Sequence, residues 1–298
     1  MNMKKSFISI LVIGLLGVSI STATTQEEVT IKTVKVRDGI YMLVGSGGNI
    51  GLFIGEDGTF LIDDQFAPLT PKHLDAIKAV GGEHPKFLIN THYHADHTGG
   101  NENLGKAGTV IFSHNQVRER LTVETVIKAF NMTTPPLPKD ALPIVTYSTD
   151  ITFHINDDTL HAFHVSRAHT DGDSVIHFRS ANVIHAGDIL FNGFYPFIDV
   201  DHGGSLKGMI QGADEILALA NGETRIIPGH GPLGNKAQLQ AFRDMLATAY
   251  KRLNLLKKKG LSAEEAVGEK PLADLEERWG KGMFTGDKWV GLIYNGLD

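Results

Sequence analysis

The sequence contains no cysteine, and this absence limits both how the chain is stabilised and what chemistry it performs. Without cysteine there is no disulfide framework and no thiol that could carry a lipid anchor. Any metal site must therefore be built from histidine and carboxylate side chains. The length of 298 residues is ample for a hydrophobic core and fits one large α/β domain or two small ones.

A strong excess of charge of one sign is also missing. The formal net charge is −6, and acidic and basic residues are spread evenly along the chain. Such a chain has no basic surface for nucleic acid, so we expect a small-molecule substrate and no nucleic-acid partner. We interpret the lysine run at 257–259, ahead of Gly260, as the end of a helix and not as a binding patch. Nothing in the sequence specifies an oligomeric state.

The apolar run at residues 7–20 is shorter than the roughly 20 residues that a membrane-spanning helix needs. Lys4 and Lys5 precede it, and the small residues Ser21 and Ala23 follow it, which is typical of a secretory signal peptide. We predict that residues 1–23 are cleaved and that the mature protein is periplasmic or secreted, without stable membrane insertion. An uncleaved anchor is the alternative.

Beyond the leader, short apolar segments bounded by glycine and polar residues alternate with helical patterns. Thr70 is the expected N-cap of the first helix, and the proline-rich segment 131–143 is expected to be a loop, either a lid or a plain connector. The order predicts two β-sheets facing each other, with helices outside and a helical C-terminal appendix. Strands are predicted at 29–36, 40–45, 59–64, 86–90, 150–155, 160–165, 174–178, 182–188 and 225–230, and helices at 70–80, 115–130, 206–220 and over most of the tail from residue 235.

The segment HYHADH concentrates four potential metal ligands, His92, His94, Asp96 and His97, in six positions. Borderline divalent metals such as zinc prefer imidazole and carboxylate ligands. In an extended segment His92 and His94 point the same way, so both reach one ion. Asp96 and His97 lie at the turn that follows and are expected to face a second ion. A polar loop whose histidines cap helices is the alternative, but it does not account for so many ligands at a strand end.

Three more candidate ligands lie at loop edges far along the chain. His169 falls in SRAHTDGDS between two predicted strands, Asp188 ends the strand NVIHAGD, and His230 ends RIIPGH. None of the three continues an apolar face, which favours a ligand role over a structural one.

Taken in order, THYHADHTGGN, AHTDGDS, HAGD and PGHGP resemble the loop signature of the metallo-β-lactamase superfamily, over about residues 30–232. The resemblance implies an α/β fold, the αβ/βα four-layer sandwich, with a metal site in the cleft between the sheets. It predicts a metallo-β-lactamase-fold domain at 24–234 and a helical C-terminal extension at 235–298 packed on it.

The resemblance also implies how the ligands are divided between two divalent ions, for which zinc is preferred and iron or manganese are alternatives. A water bridging two such ions loses its proton near neutral pH and attacks a carbonyl carbon, with Asp96 as the carboxylate that orients it. The implied ligands are His92, His94 and His169 for the first ion, Asp96, His97 and His230 for the second, and Asp188 as the bridge.

The sequence departs from the zinc β-lactamases of this superfamily. Those with cysteine at the position of Asp188 typically carry lysine three residues later, where this chain has Phe191, and those with an Asp-His pair usually have serine in place of Asp188. The ligand set is more similar to that of glyoxalase II, the lactonases and the nuclease-type members. Export disfavours glutathione thioesters, and the lack of a basic surface disfavours RNA. We therefore predict a hydrolase of a small ester, lactone, thioester or lactam. The alternatives are broad β-lactamase activity and a non-hydrolytic metal-binding maturation factor for an exported pathway.

The aromatic segment 191–205 follows Asp188 directly. Its aromatic side chains either form an apolar wall of the cleft or are simply buried, and the sequence does not decide between the two. Asp199 and His202 either contact the ligands or belong to a solvated turn, and the turn is the favoured interpretation. The remaining histidines are expected to be structural: His73, His84, His114, His154, His161, His164, His177 and His185.

Overall fold

Segments of alternating and continuous apolar residues form the strands of two large β-sheets. The structure is a computed structural model and describes residues 29–297. The predicted signal peptide at residues 1–23 lies outside the described residues. With strands numbered along the chain, the first sheet has seven strands in the order β1 (Lys32–Arg37), β2 (Ile40–Val44), β3 (Ile50–Gly55), β4 (Gly58–Ile62), β5 (Phe87–Asn90), β6 (Val110–His114) and β9 (Val145–Tyr147).

A second sheet of six strands covers the first, and a small hairpin stands apart from both. In the second sheet all neighbours are antiparallel except the parallel pair of its fourth and fifth strands. Its order is β10 (Asp150–Ile155), β11 (Asp158–His164), β12 (Ser174–Phe178), β13 (Val183–His185), β14 (Arg225–Ile227) and β15 (Gly234–Asn235). The hairpin consists of β7 (Thr125–Ile127) and β8 (Met132–Thr134).

The inner faces of the two sheets pack against each other through aromatic side chains. Phe53 of β3 meets Phe178 of β12 edge to face, with ring centroids 5.4 Å apart. Phe60 of β4 meets Phe153 of β10 in the same way at 5.0 Å. Edge-to-face rings at these distances add to the free energy of burying apolar surface, so this inner core holds the sheets together.

Helices cover the outer face of each sheet, as the four-layer prediction requires. Ile77 and Leu104 pack on the first sheet, and two long helices pack on the second. The helices are α1 (Thr70–Ala79), α2 (Ala95–Thr98), α3 (Asn101–Lys106), α4 (Asn115–Leu121), α5 (Leu206–Leu219), α6 (Lys236–Lys258), α7 (Ala263–Gly268), α8 (Glu276–Trp279) and α9 (Gly286–Ile293). The predicted sandwich with C-terminal helices is thus confirmed. Within residues 29–297 no helix is both long and apolar enough to cross a membrane.

Two predicted elements between β6 and β10 are wrong. The helix expected at 115–130 ends at Leu121, and the segment 131–143, expected to lack a strand, contains β8. The reason is burial with a period of two: Thr125 and Ile127 are buried, whereas Val126 between them is exposed. That alternation suits a strand pairing with a neighbour and not a helix.

Other differences concern where elements begin and end. Strand β3 was not predicted, and Thr70 is not an N-cap: the chain enters α1 through a 3₁₀ turn at Ala67–Leu69, so that Leu69 takes the cap position. The strands expected to reach 188 and 230 end at His185 and Ile227. In both cases the last three predicted residues form a loop that leads to a candidate ligand. The end of α6 is as predicted, with Gly260 at φ +82° just beyond its last turn.

Candidate metal centre

Seven side chains predicted as ligands come together at the edge where the sheets open. They arrive on loops that follow strand ends: His92 and His94 after β5, His169 after β11, Asp188 after β13 and His230 after β14. Asp96 and His97 lie in the short helix α2, one turn beyond His94. The strand ends deliver these loops to one place because β13 and β14 are parallel and the loops all leave toward the same edge.

The first group consists of His92, His94, His169 and Asp188, all buried. His94 Nδ1 lies 3.1 Å from His92 Nε2 and 2.9 Å from His169 Nε2. His169 Nε2 lies 3.3 Å from Asp188 Oδ2. Four ligands around a tetrahedral zinc with bonds of 2.0–2.1 Å are about 3.3 Å apart, so the donors already have the spacing that such an ion needs.

The second group consists of Asp96, His97 and His230. Asp96 Oδ2 lies 3.3 Å from His230 Nε2 and 3.6 Å from His97 Nε2. The two Nε2 atoms are 3.5 Å apart. These separations are slightly longer than those of the first group, and they suit a second ion of the same kind.

Asp188 lies between the two groups. Its Oδ2 is close to His169 of the first group and lies 3.4 Å from His230 Nε2, and its Oδ1 lies 3.1 Å from His97 Nε2. Oδ1 is nevertheless buried without a hydrogen bond of acceptable geometry. A buried carboxylate oxygen without a donor is costly unless a cation completes its environment.

In four of the five candidate histidine ligands, the ring nitrogen that points away from the centre is paired with an oxygen atom. Metal-binding histidines in proteins characteristically present one nitrogen to the metal and hydrogen-bond through the other, which fixes the tautomer and the orientation of the ring. The pairs are His92 Nδ1 with Thr91 Oγ1 at 3.0 Å, His94 Nε2 with Asp199 Oδ2 at 3.0 Å, His97 Nδ1 with Asp63 Oδ2 at 2.8 Å and His169 Nδ1 with the Phe197 carbonyl at 2.8 Å.

Asp199 belongs to the site, and its interpretation as part of a solvated turn is wrong. It is 3 % exposed, accepts a 2.5 Å hydrogen bond from the Tyr93 hydroxyl, and contacts the ring of His202 at 2.8 Å. Burial would raise the pKa of Asp199, but bonding to His94, Tyr93 and His202 lowers it far below its ordinary value. Asp199 is thus an ionised acceptor that orients His94.

Asp63 was missed among the candidates because it appeared to end a strand. Its carboxylate accepts from the Thr91 backbone N–H at 2.7 Å and from the Thr91 hydroxyl at 2.8 Å, besides contacting His97. The residue has φ +64°, a conformation that is rare outside glycine and that turns its side chain toward the site. The sequence signal that could have identified it is the pair of acidic residues, Asp63 and Asp64, directly after the buried strand β4.

Two glycines allow the backbone to approach the centre closely. A Cβ atom on Gly48 would lie 2.0 Å from Cε1 of His97, and one on Gly229 would lie 1.9 Å from Oδ1 of Asp188. Both distances are far below van der Waals contact, so neither position accepts a larger residue unless a ligand moves.

The electrostatics of the site lower the pKa of two histidines and raise that of two others. Burial lowers the pKa of His92, and that of His169 to about 4, so both rings are neutral near pH 7. Burial would raise the pKa values of Asp96 and Asp188, but the surrounding histidines outweigh it: the pKa of Asp96 falls to about 2 and that of Asp188 also falls well below its ordinary value. Burial would lower the pKa values of His97 and His230, but Asp188 and Asp96 outweigh it: the pKa of His97 rises well above its ordinary value and that of His230 rises to about 9. Divalent metals bind neutral imidazole and ionised carboxylate, so metal binding would release the protons of these two rings.

A cavity of about 330 Å³ opens directly above the centre. Asp96, Asp188 and His230 form part of its floor, and Phe191 stacks on His230 with ring centroids 4.9 Å apart. Both expectations for the aromatic segment therefore apply, each to different residues. Phe191 and Phe197 line the cavity, whereas Tyr195 is fully buried against Trp289.

Comparison with known proteins agrees with this geometry. Residues 43–234 match the sequence profile of the Metallo-beta-lactamase superfamily, and the chain belongs to that family. The fold is similar to that of a metallo-beta-lactamase from Pontibacter korlensis, with a TM-score of 0.60 and 18 % identity over 73 % of this chain and 99 % of the other. The DIM-1 metallo-beta-lactamase gives a TM-score of 0.59 and 18 % identity over 74 % of this chain and 100 % of the other. TMB-1 gives a TM-score of 0.59 and 16 % identity over 74 % of this chain and 98 % of the other. At these identities the likeness establishes the fold.

Proposed function

We propose that this protein is a metal-dependent hydrolase that cleaves a small ester, lactone, thioester or lactam at its carbonyl carbon. The observation that carries the proposal is the arrangement of seven donor atoms at metal-ligand spacing around a shared carboxylate, beneath an open cavity. Such a site, with donors from several loops on a rigid sandwich, is typical of hydrolytic metal centres.

In this proposal two divalent cations would occupy the two groups. His92, His94 and His169 would hold the first, and Asp188 would bridge it to the second. Asp96, His97 and His230 would hold the second. The set of nitrogen and oxygen donors without thiolate favours zinc, and iron and manganese accept the same ligands.

Bound there, the ions would acidify a water molecule and polarise the carbonyl of the substrate. The residues of the chain supply orientation and charge. Asp96 is the more exposed of the two carboxylates in the cavity floor, with 26 % of its side chain exposed against 3 % for Asp188. With a pKa of about 2 it is ionised near neutral pH, so its Oδ atoms accept a hydrogen bond from the nucleophilic water and orient it.

We also propose that the protein acts outside the cytoplasm, in the periplasm or after secretion, since the sequence of residues 1–23 has the layout of a cleavable leader. The mature chain would then comprise the catalytic domain at 24–234 and the C-terminal extension at 235–298. N-terminal sequencing of the protein recovered from an exporting host tests this, with cleavage after Ala23 as the expected result.

The hydrolase proposal is tested by elemental analysis of the purified protein, followed by a substrate panel of nitrocefin, a lactone and a thioester. The expected result is close to two metal ions per chain and turnover of at least one substrate that chelator abolishes. Turnover of nitrocefin alone would favour broad β-lactamase activity. Two bound metals without turnover of any ester, lactone, thioester or lactam would contradict the hydrolase and favour a metal-binding maturation factor.

A further inference from the structure

The cavity above the metal centre has an apolar wall assembled from four separate parts of the chain. Phe66 comes from the loop after β4, Phe130 and Met132 from the β7–β8 hairpin, Phe197 from the segment after Asp188, and Met283 from the C-terminal extension. Phe66, Phe130 and Met283 are 36 %, 44 % and 47 % exposed, so these large apolar side chains keep surface free at the rim. Apolar surface concentrated at one cavity marks a binding site.

Ring contacts hold the hairpin in place over the centre. The ring of Phe130 lies 4.9 Å from that of Phe197 and 6.0 Å from that of Phe284, measured between centroids. Phe197 and Phe284 are themselves buried, and the carbonyl of Phe197 accepts the hydrogen bond from His169. The apolar wall is therefore attached to the residues that orient a candidate ligand, and its position relative to the centre is set by packing.

Away from the metal centre, the described lining of the cavity offers no cationic side chain that would pair with an anionic substrate. None of its lining residues, all within the described part of the chain, is lysine or arginine. The nearby Lys128 instead pairs with Asp201 at 3.1 Å. Phe191, the aromatic residue three positions after Asp188, is a buried ring stacked on His230 and adds no charge to the cavity. Burying an unpaired carboxylate against such a wall is strongly unfavourable.

We propose that the substrate is an uncharged carbonyl compound with an apolar chain, and that Phe130 and Met283 are the residues that select for the chain. The proposal rests on the hydrolase function above and names the substrate class of the same site. The carbonyl lies over the metal centre, and the chain lies along Phe66, Phe130 and Met283. A buried methylene contributes enough free energy to tighten binding about fourfold.

Binding is tested apart from turnover with methyl ketones, which do not hydrolyse. Calorimetric titration of the metal-loaded protein with the series from 2-butanone to 2-octanone should give a dissociation constant that falls about fourfold per methylene until the cavity is filled. The matched anion 7-oxooctanoate, in which a carboxylate replaces the terminal methyl of 2-octanone, should bind about tenfold or more weakly than 2-octanone.

Variants locate the effect at the apolar wall. Phe130→Ser and Met283→Ser should each reduce the dependence on chain length from about fourfold to about twofold per methylene, because each removes one side of the wall. Leu255→Ser is the matched control: Leu255 is 53 % exposed on α6, outside the cavity, and its loss should leave the dependence as it is. For p-nitrophenyl esters from acetate to octanoate, kcat/KM should rise with chain length in the parent and in Leu255→Ser, and should rise less steeply in Phe130→Ser and Met283→Ser.

The outcomes separate the two proposals. If esters are hydrolysed but neither binding nor kcat/KM depends on chain length, or 7-oxooctanoate binds as well as 2-octanone, the substrate class is wrong and the hydrolase stands. If the ketones show the chain-length dependence and its reduction in Phe130→Ser while no ester, lactone, thioester or lactam is cleaved, the apolar site stands and the hydrolase is wrong. A chain-length effect that Phe130→Ser, Met283→Ser and Leu255→Ser all leave unchanged would contradict the assigned wall.

Discussion

At the scale of single residues, the site is defined by Asp188. Its two oxygens contact histidines of both donor groups, and one of them lacks a hydrogen bond although it is buried. This position makes the carboxylate a shared ligand in the proposal, and a shared ligand differs from a terminal one in a way that can be measured. Removing it would weaken the binding of two ions instead of one.

We expect Asp188→Ala to lower the metal content of the purified protein, because both donor groups lose the carboxylate that lies between them. Elemental analysis gives the metal-to-protein ratio, and circular dichroism verifies that the fold is kept. Asp214→Ala is the control, since Asp214 is an exposed carboxylate of α5 that pairs with Arg243 of α6 and belongs to neither donor group. An unchanged ratio in Asp188→Ala would contradict the bridging assignment.

Asp199 acts one layer further out, through His94. We expect Asp199→Asn to weaken metal binding about 10- to 100-fold, because the amide no longer offers His94 Nε2–H a charged acceptor that fixes the ring. Competition with a chromophoric chelator measures the dissociation constant. Asp201→Asn, two residues away and 45 % exposed at its side chain, should have no effect. Equal affinity in the two variants would indicate that Asp199 only anchors Tyr93 and His202.

At the scale of elements, the two sheets are joined by more than their apolar core. His114 at the end of β6 and His164 at the end of β11 stack with centroids 3.8 Å apart and planes at 7°, one ring from each sheet. His164 Nδ1 contacts the Asp173 carbonyl at 2.9 Å, and His114 Nε2 contacts that of Ser148 at 3.1 Å. Burial lowers the pKa of both rings below the ordinary value of 6.5, so both are neutral near pH 7.

This stacking predicts a loss of stability in mild acid. Because the folded pKa values are lowered, the unfolded chain takes up these protons first, and the contribution of the pair, complete above pH 6.5, declines as the pH falls below that value. We expect His164→Phe to lose less unfolding free energy than the parent between pH 7.5 and pH 5.5, measured by urea denaturation in chelator. His154→Phe, at an exposed position of β10, should behave like the parent. Equal pH dependence in all three proteins would exclude the pair as a source of acid sensitivity.

At the scale of the whole molecule, the C-terminal helices complete the main core. Leu239 and Phe242 of α6 and Trp289 of α9 belong to one buried cluster with Ile184 and Ile226 of the second sheet. Trp289 is fully buried, stacks on Tyr195 at 4.8 Å, and donates from Nε1 to the Pro196 carbonyl at 2.6 Å. The extension therefore supports the segment that contributes Phe191 and Phe197 to the cavity.

We expect Trp289→Ala to reduce the free energy of unfolding by about 3–5 kcal/mol, because it leaves a large cavity and an unpaired carbonyl in this core. Urea denaturation measures the loss, and the metal affinity should fall with it, since the Phe197 carbonyl holds His169. Leu255→Ala, at an exposed position of α6, should change stability by less than about 0.5 kcal/mol. A loss below about 1 kcal/mol in Trp289→Ala would mean that the extension is not integral to the core.

The sequence by itself determined the family, the layered fold and the identity of the seven clustered side chains. The candidate ligands could be identified because they occur in short motifs at the ends of predicted strands. The fold could be predicted because long helices, such as those at 206–220 and in the tail, show a clear apolar periodicity in the sequence. The prediction failed where a short element depends on its partner: the β7–β8 hairpin alternates only because its neighbours bury every second residue.

Only the tertiary structure decided what surrounds the ligands. Asp63 and Asp199 are 34 and 105 residues away from the histidines that they orient, and their roles follow from packing alone. The same holds for Met283, which closes the cavity from a segment without any motif. Short sequence motifs identify which side chains can act as metal donors. The orientation of those side chains and the shape of the cavity depend on contacts between segments that are distant in the sequence, and no local pattern predicts such contacts.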